Sequence, residues 1–383
     1  MKDKRSWCIR AWLVGIIVAG GAVAIAHAAE TAPSSVLRYG EILKYGDISS
    51  GGDSVVFRRI NSLDDVAGSV KRPRIQKHSK AIVLTANGIE DLAGDPSVDF
   101  SATFGLNDKG EVVGGLNTAT SLRPFRAKRG QNFQLLDLLP GDNGGLAFSI
   151  NEGGEVAGYS TGKAGERAVW WDLRGNPKPL QSPPGLTSRA LGLNDKGDIV
   201  GVTGSGHLQG LLWPNKGNLI KLGTLSGASG SQAVSINERG EITGFADGVD
   251  GVPYRTRAVL WSANGQTIQD LGALFKDGTS RARDINDRGE VVGNSAGGHH
   301  EMRAFIWTAE TGMVDINTLV SLPNIRLTDA VGINKQGDLV VIGHEKTAAQ
   351  LEQEAGHAHD REFQHGDDGH EQPRQIYVIS RMQ

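Results

Sequence analysis

The sequence predicts an all-β fold, a seven-bladed β-propeller of four-stranded blades, and three observations lead there. An Asn-x-x-Gly hairpin, with Asp for Gly in one copy, recurs seven times, each repeat has room for four short strands, and a strand near the start supplies what the last repeat lacks. Gly makes up 53 of 383 residues, about twice the usual ~7% share. Each interior Gly costs a helix about 1 kcal/mol relative to Ala, so a helical bundle is disfavoured. A hydrophobic content of 38% with a net charge of -3 can bury a core, which excludes a disordered chain. No Gly-X-Y period runs through it, which excludes collagen.

Ile150 to Gly158 is INEGGEVAG; its relatives are LNDKGEVVG from Leu106, LNDKGDIVG from Leu193, INERGEITG from Ile236 and INDRGEVVG from Ile285. Two weaker copies flank them, INSLDDVAG from Ile60 and INKQGDLVV from Ile333. The anchor residues are Asn61, Asn107, Asn151, Asn194, Asn237, Asn286 and Asn334, with spacings of 46, 44, 43, 43, 49 and 48. A fixed period of this length marks a repeat architecture. Asn can accept a hydrogen bond from the backbone two residues on, and Gly at the fourth position takes a left-handed conformation, so each copy is a tight turn between strands A and B. The first copy has Asp64 at the glycine position, which tolerates positive φ less well. An acid follows in every copy: Asp65, Glu111, Glu155, Asp198, Glu241, Glu290 and Asp338. A ring of cation ligands is one use for them; their presence in every copy favours a role in the turn itself.

Strand C is aromatic-rich: AVWW from Ala168, LLW from Leu211, VLW from Val259, FIW from Phe305. Strand D follows in LIKLGTL from Leu219, TIQDL from Thr267 and MVDI from Met313. Departures are expected at strand C of repeat two, PFRAKRG from Pro124, and at strand D of repeat three, Pro177 to Pro184. Repeat seven ends on QIYVI from Gln375 with no strand D, while ILKYGDI from Ile42 aligns with LIKLGTL. An N-terminal strand therefore closes the ring and removes a free sheet edge. An open β-solenoid is the alternative, since it needs no such closure.

The N-terminus reads as an address. Lys2, Lys4, Arg5 and Arg10 precede an apolar run from Ala11 to Ala26, and Ala26-His27-Ala28-Ala29 suits a cleavage site. This predicts a signal peptide over 1–29 and a single repeat domain over 30–383, secreted or periplasmic, with no membrane span after cleavage. Cleavage removes four basic residues and one acid, moving the net charge from -3 to -6. That argues against a nucleic-acid partner, which needs a basic footprint. Cys8 goes with the leader, so disulfides would not hold the mature chain together.

Together, Arg303-Ala304-Phe305-Ile306-Trp307, Asp270-Leu271-Gly272 and Ile285 to Gly293 resemble the repeat of the extracellular HAF-repeat proteins, with Arg303 where that family has His. The resemblance covers Ile42 to Ile379 apart from one insert. It implies secretion and a β-propeller-like fold. The family brings no assigned reaction, so no catalytic residue carries over.

The insert, His344 to Arg374, lies between strands B and C of repeat seven. His357-x-His359 with His365 or Asp360 could hold a divalent transition metal. A polar, low-complexity tract of this kind also binds metal without a purpose. B–C connections vary in length while the A–B turns do not, and insertions confined to one face mark the binding face. The partner is therefore expected at the B–C and D–A end, near His299, His300, His344 and His370. Lys71 to Lys80, with five basic residues, joins B and C in repeat one and reads as a solvated loop. Gly293-Asn294-Ser295-Ala296-Gly297 matches the pattern of a serine nucleophile turn, but that needs a helix next, and a strand end is expected here. The strand-C Trp residues are expected to pack between blades rather than stack on sugars.

The functional expectation is a secreted, monomeric, non-enzymatic binding or adhesion scaffold for a protein or glycan, with no cofactor. The alternative is a propeller-fold enzyme, a carbohydrate-active hydrolase or lyase using a metal held by the His-rich loop.

Overall fold

The computed structural model describes residues 37–45, 54–71, 79–92, 98, 100–128, 131–252, 254–298, 301–347, 350–351 and 374–382. These form one compact unit, built of 28 strands in seven four-stranded antiparallel sheets. The first strand, β1 (Tyr39–Tyr45), belongs to the last blade. Blade 1 is β2 to β5 (Ser54–Ile60, Val66–Lys71, Lys80–Thr85, Gly88–Asp91). Blade 2 is β6 to β9 (Ser101–Leu106, Glu111–Asn117, Leu122–Lys128, Gln134–Leu135). Blade 3 is β10 to β13 (Asp142–Ile150, Val156–Gly162, Gly165–Trp171, Pro177–Pro179). Blade 4 is β14 to β17 (Ser188–Leu193, Ile199–Thr203, Gln209–Trp213, Ile220–Lys221). Blade 5 is β18 to β21 (Gly230–Ile236, Ile242–Asp247, Thr256–Trp261, Ile268–Asp270). Blade 6 is β22 to β25 (Thr279–Ile285, Val291–Ala296, Met302–Thr308, Gly312–Asp315). Blade 7 is β26 to β28 (Ile325–Ile333, Leu339–Glu345, Arg374–Arg381) with β1 outermost.

Strand A of each blade touches strand A of the next, and the seven contacts close on themselves, so these strands line a central channel. No blade buries its faces alone. The core is seven separate clusters, each shared by two neighbouring blades; Val200 and Leu212 of blade 4, for example, pack on Ile236, Ile242, Val259 and Trp261 of blade 5. The cluster of Ile60, Ile82, Val340, Ile376 and Val378 joins blade 7 to blade 1. The propeller is therefore closed, and the open solenoid is excluded. Closure is made by β1 on β28, with Ile42 opposite Ile379 and Tyr45 opposite Ile376.

Both expected departures form their strands. Pro124 lies inside β8 opposite Gly115, and its carbonyl accepts from the Leu136 N–H, 2.9 Å. Since N–H and C=O of one antiparallel residue face the same neighbour, the missing donor faces strand D, which is only two residues long. Pro177 and Pro179 lie on β13, the outer strand of blade 3, where proline is tolerated.

Strand-C tryptophans seal the blades from outside the channel. Trp171 and Trp261 are fully buried. The indole N–H groups of Trp171, Trp213 and Trp261 donate to the carbonyls of Asp137, Gln181 and Gly223, at 2.6, 2.6 and 2.9 Å. Each acceptor belongs to the connection entering that blade, so one residue packs an interface and pins a D–A loop.

Candidate functional site

The channel has two ends of different chemistry, and the A–B end is built by the repeat. In all seven turns the Asn side chain donates to the backbone carbonyl of the next turn's Asn, at 2.9 to 3.2 Å, with Asn334 returning to Asn61. The same amide reaches the following acid in six repeats, at 2.7 to 3.4 Å. The Asn side-chain oxygen meanwhile accepts from the acid's own N–H, as in Glu241 to Asn237, 2.9 Å. These acids complete a hydrogen-bonded belt, the turn role that their repetition indicates.

A second belt sits one residue on. The backbone N–H groups of Ser62, Asp108, Glu152, Asp195 and Glu238 donate to the carboxylates of Asp108, Glu152, Asp195, Glu238 and Asp287 in turn, at 2.7 to 2.8 Å. Lys335 reaches Asp108, 3.2 Å. Burial pushes Glu152 and Glu238 up. Asp108 also loses solvation, but the Ser62 N–H and hydroxyl and the Lys335 ammonium outweigh that and hold it below its usual range. Behind this mouth lies a cavity of about 170 Å³. On its wall Arg59 pairs with Asp284, which also accepts from the Ser235 hydroxyl, 2.7 Å.

The irregular turn of repeat one yields a stability prediction. Asp64 keeps φ at 61° where the other six turns have Gly. Burial, then the neighbouring Asp338 carboxylate, raises its carboxyl to about 6. An acid raised in the folded state is still protonated there when the unfolded chain has ionised, so its stability contribution falls as pH climbs from about 4 to about 6 and then levels off. Asp64→Asn tolerates the positive φ and removes the penalty. Urea denaturation should show a gain of about 1 kcal/mol at pH 8, discounted for partial exposure, and none at pH 3.5.

Deeper in the channel the wall does not repeat. In every strand A the third residue before the turn Asn is skipped in the pairing register, a β-bulge. These residues are at least partly open to solvent in the middle of the innermost strand, so they face the channel. In blades 1 to 3 they are Arg58, Phe104 and Phe148, in blades 4 and 5 Leu191 and Val234, in blades 6 and 7 Arg283 and Val331. The Arg58 guanidinium lies 4.8 Å over the Phe104 ring. Phe104 meets Phe148 edge-on at 5.4 Å, and Phe148 meets Tyr159 at 5.8 Å. Arg189, forked onto Glu166 at 2.5 and 2.8 Å, lies over Tyr159 at 5.6 Å. Across the channel Arg281 lies over Phe245 at 5.0 Å, and Arg283 is forked onto Asp329 at 3.0 and 3.3 Å. A wall of rings and guanidiniums can hold a ligand by stacking and by charge at once.

Of the sequence-predicted site residues, only His344 falls among the described residues. It sits on β27 opposite Arg326, its Nδ1 2.8 Å from the Glu345 carbonyl oxygen. His299, His300, His357, His359, Asp360, His365 and His370 lie outside the described residues, as do most of Lys71 to Lys80 and the whole leader. Among the described residues no group of three or more His, Cys, Asp or Glu could hold a metal ion. No described helix is long and apolar enough to cross a membrane. Ser295, in the Gly-x-Ser-x-Gly run, is on strand β23, fully buried. Its hydroxyl donates to the Thr279 carbonyl, 2.9 Å, and accepts from the Leu274 N–H, 3.0 Å, so it is a structural link and no nucleophile.

The fold and both channel ends define a closed seven-bladed propeller. Among solved structures, the chain is similar to the β-propeller domain of the Trilobed protease of Pyrococcus furiosus, which has an open velcro topology. The TM-score is 0.51 at 12% identity, over 78% of this chain and 93% of that one. Virginiamycin B lyase of Staphylococcus aureus, in a catalytically inactive variant with quinupristin, gives 0.52 at 8% identity, over 89% and 99%. A prolyl endopeptidase gives 0.52 at 10% identity over 77% of this chain, which spans only 47% of that protein's length. At these identities the likeness is one of fold. No known family profile matches the sequence, and no characterised protein sequence matches it.

Proposed function

We propose that this protein is a non-catalytic, ligand-binding propeller of the cell envelope, exported by its leader and related to the HAF-repeat proteins, with its ligand entering from the B–C and D–A end and seated midway along the channel. One observation carries this reading. At the A–B mouth the same side chains recur around the ring and bond to one another, whereas midway along the channel the bulge residues differ from blade to blade and form a row of rings flanked by guanidiniums. A fold needs the repeated features; a ligand needs an arrangement found in one place. The partner is a protein or glycan outside the cytoplasm.

The test is a screen of glycans and cell-envelope polymers with the native protein and two variants. Phe104→Ala/Phe148→Ala strips the ring row and should weaken a captured ligand by at least about tenfold, given the ~1–3 kcal/mol worth of such stacking contacts. Asp287→Asn, at the opposite mouth, should leave binding unchanged. Binding lost through Asp287→Asn alone would place the site at the wrong end and end the proposal.

A further inference from the structure

We infer that the channel takes a ligand with a carboxylate at one end and a flat apolar body at the other, the carboxylate on Arg58 and the body along Phe104, Phe148 and Tyr159. This rests on the ligand-binding reading above and specifies its chemistry. The reason is a charge count. Arg58, Arg59 and Arg283 come together because blades 1 and 6 flank blade 7, whose strand A offers only Val331 and Gly332 at the matching positions. Arg59 is taken by Asp284. Arg283 is taken by Asp329 through two bonds, and Asp329 also accepts from the Asn294 amide, 2.9 Å. Three guanidiniums thus share two carboxylates. Among the described residues, Arg58 has the Phe104 ring face, and the nearby Asp329 that attracts it is already forked by Arg283.

Arg58 is open to the channel yet walled by protein on most sides. Burial, then the like charges of Arg283 and Arg59, press its guanidinium below the usual range against the pull of Asp329. An incoming anion would relieve that repulsion, and a guanidinium fork matches a carboxylate in two parallel bonds. The ring row supplies direction. It starts at Arg58 and ends at Arg189, which Glu166 already neutralises. Only one end of the row has an unmatched cation, so a ligand lying on the rings has one place for its charge.

The probe is 1-naphthoate, compared by calorimetry with neutral 1-naphthylmethanol. Naphthoate should bind saturably at one site per chain, at least about tenfold more tightly than the alcohol, the difference expected for a charge-assisted pair. Arg58→Ala should bring naphthoate down to the level of the alcohol, whereas Phe148→Ala should weaken both compounds alike. Equal affinity for acid and alcohol, or full naphthoate affinity in Arg58→Ala, would overturn the inference. If naphthoate fails while a neutral glycan from the screen binds and is lost in Phe148→Ala, the carboxylate assignment falls and the binding end stands. If neither binds, both fall.

Discussion

Gly244→Ala should destabilise the propeller by about 3 kcal/mol or more, enough to lower the urea midpoint sharply or prevent folding. The added Cβ would lie 1.9 Å from the Gln232 carbonyl oxygen and 3.1 Å from the Ala233 Cα. Both are backbone atoms, so no rotamer change relieves the clash. The cause is the bulge in strand A, which shifts the register between Ala233 and Ser235 and sits beside this approach. Gly114, Gly158, Gly201 and Gly293 face the same carbonyl contact at 1.9 to 2.0 Å, and the same outcome is expected of them. Repeat seven has Val341 there, and its strand A carries a second register shift just before the matching carbonyl, between Leu327 and Asp329. Gly110→Ala is the control. Its φ is +71° with open space around it, so only conformational strain of about 1–2 kcal/mol applies. Equal effects at the two positions would refute the steric account.

Asn286→Asp should cost about 2–4 kcal/mol at pH 7, with a smaller cost at pH 4.5. The side-chain oxygen that accepts from Arg288 and Glu290, 3.0 and 3.1 Å, is retained. What goes is the amide that donates to Glu290, 2.7 Å, and to the Asn334 carbonyl, 3.2 Å. A second carboxylate then faces Glu290, which is 5% exposed. The two carboxylates repel when both are ionised, and Arg381 and Arg288 beside Glu290 offset only part of that, so the penalty grows as pH rises. Chemical denaturation at the two pH values separates this from a merely weakened turn, whose cost would not change with pH.

The architecture was legible because its causes are local and repeated. Asn-x-x-Gly at near-constant spacing gives the number of blades, and the surplus strand at Ile42 with the deficit at Gln375 gives the closure. Prolines misled at Pro124 and Pro177 because a sequence does not say which neighbour a missing donor faces. The ring row was missed for a related reason. Alternation along a strand assigns faces only while the register holds, and a bulge at Arg58, Phe104 and Phe148 breaks it at the very residues that line the channel. The histidines drew attention because metal ligands are recognisable by type, whereas Phe and Arg in a strand resemble ordinary core and surface residues. The pairing signal existed only in three dimensions, between residues such as Arg283 and Asp329, 46 positions apart.

The pairing of β1 with β28 reverses the order of synthesis. β1 is made well before the strand it pairs with, since that partner lies more than 300 positions away. Contacts at such separation form slowly, and until then the early segment must wait with its ladder groups unspent. The ring therefore stays open until nearly the whole propeller has been made, and completion of the last blade becomes the natural trigger of maturation.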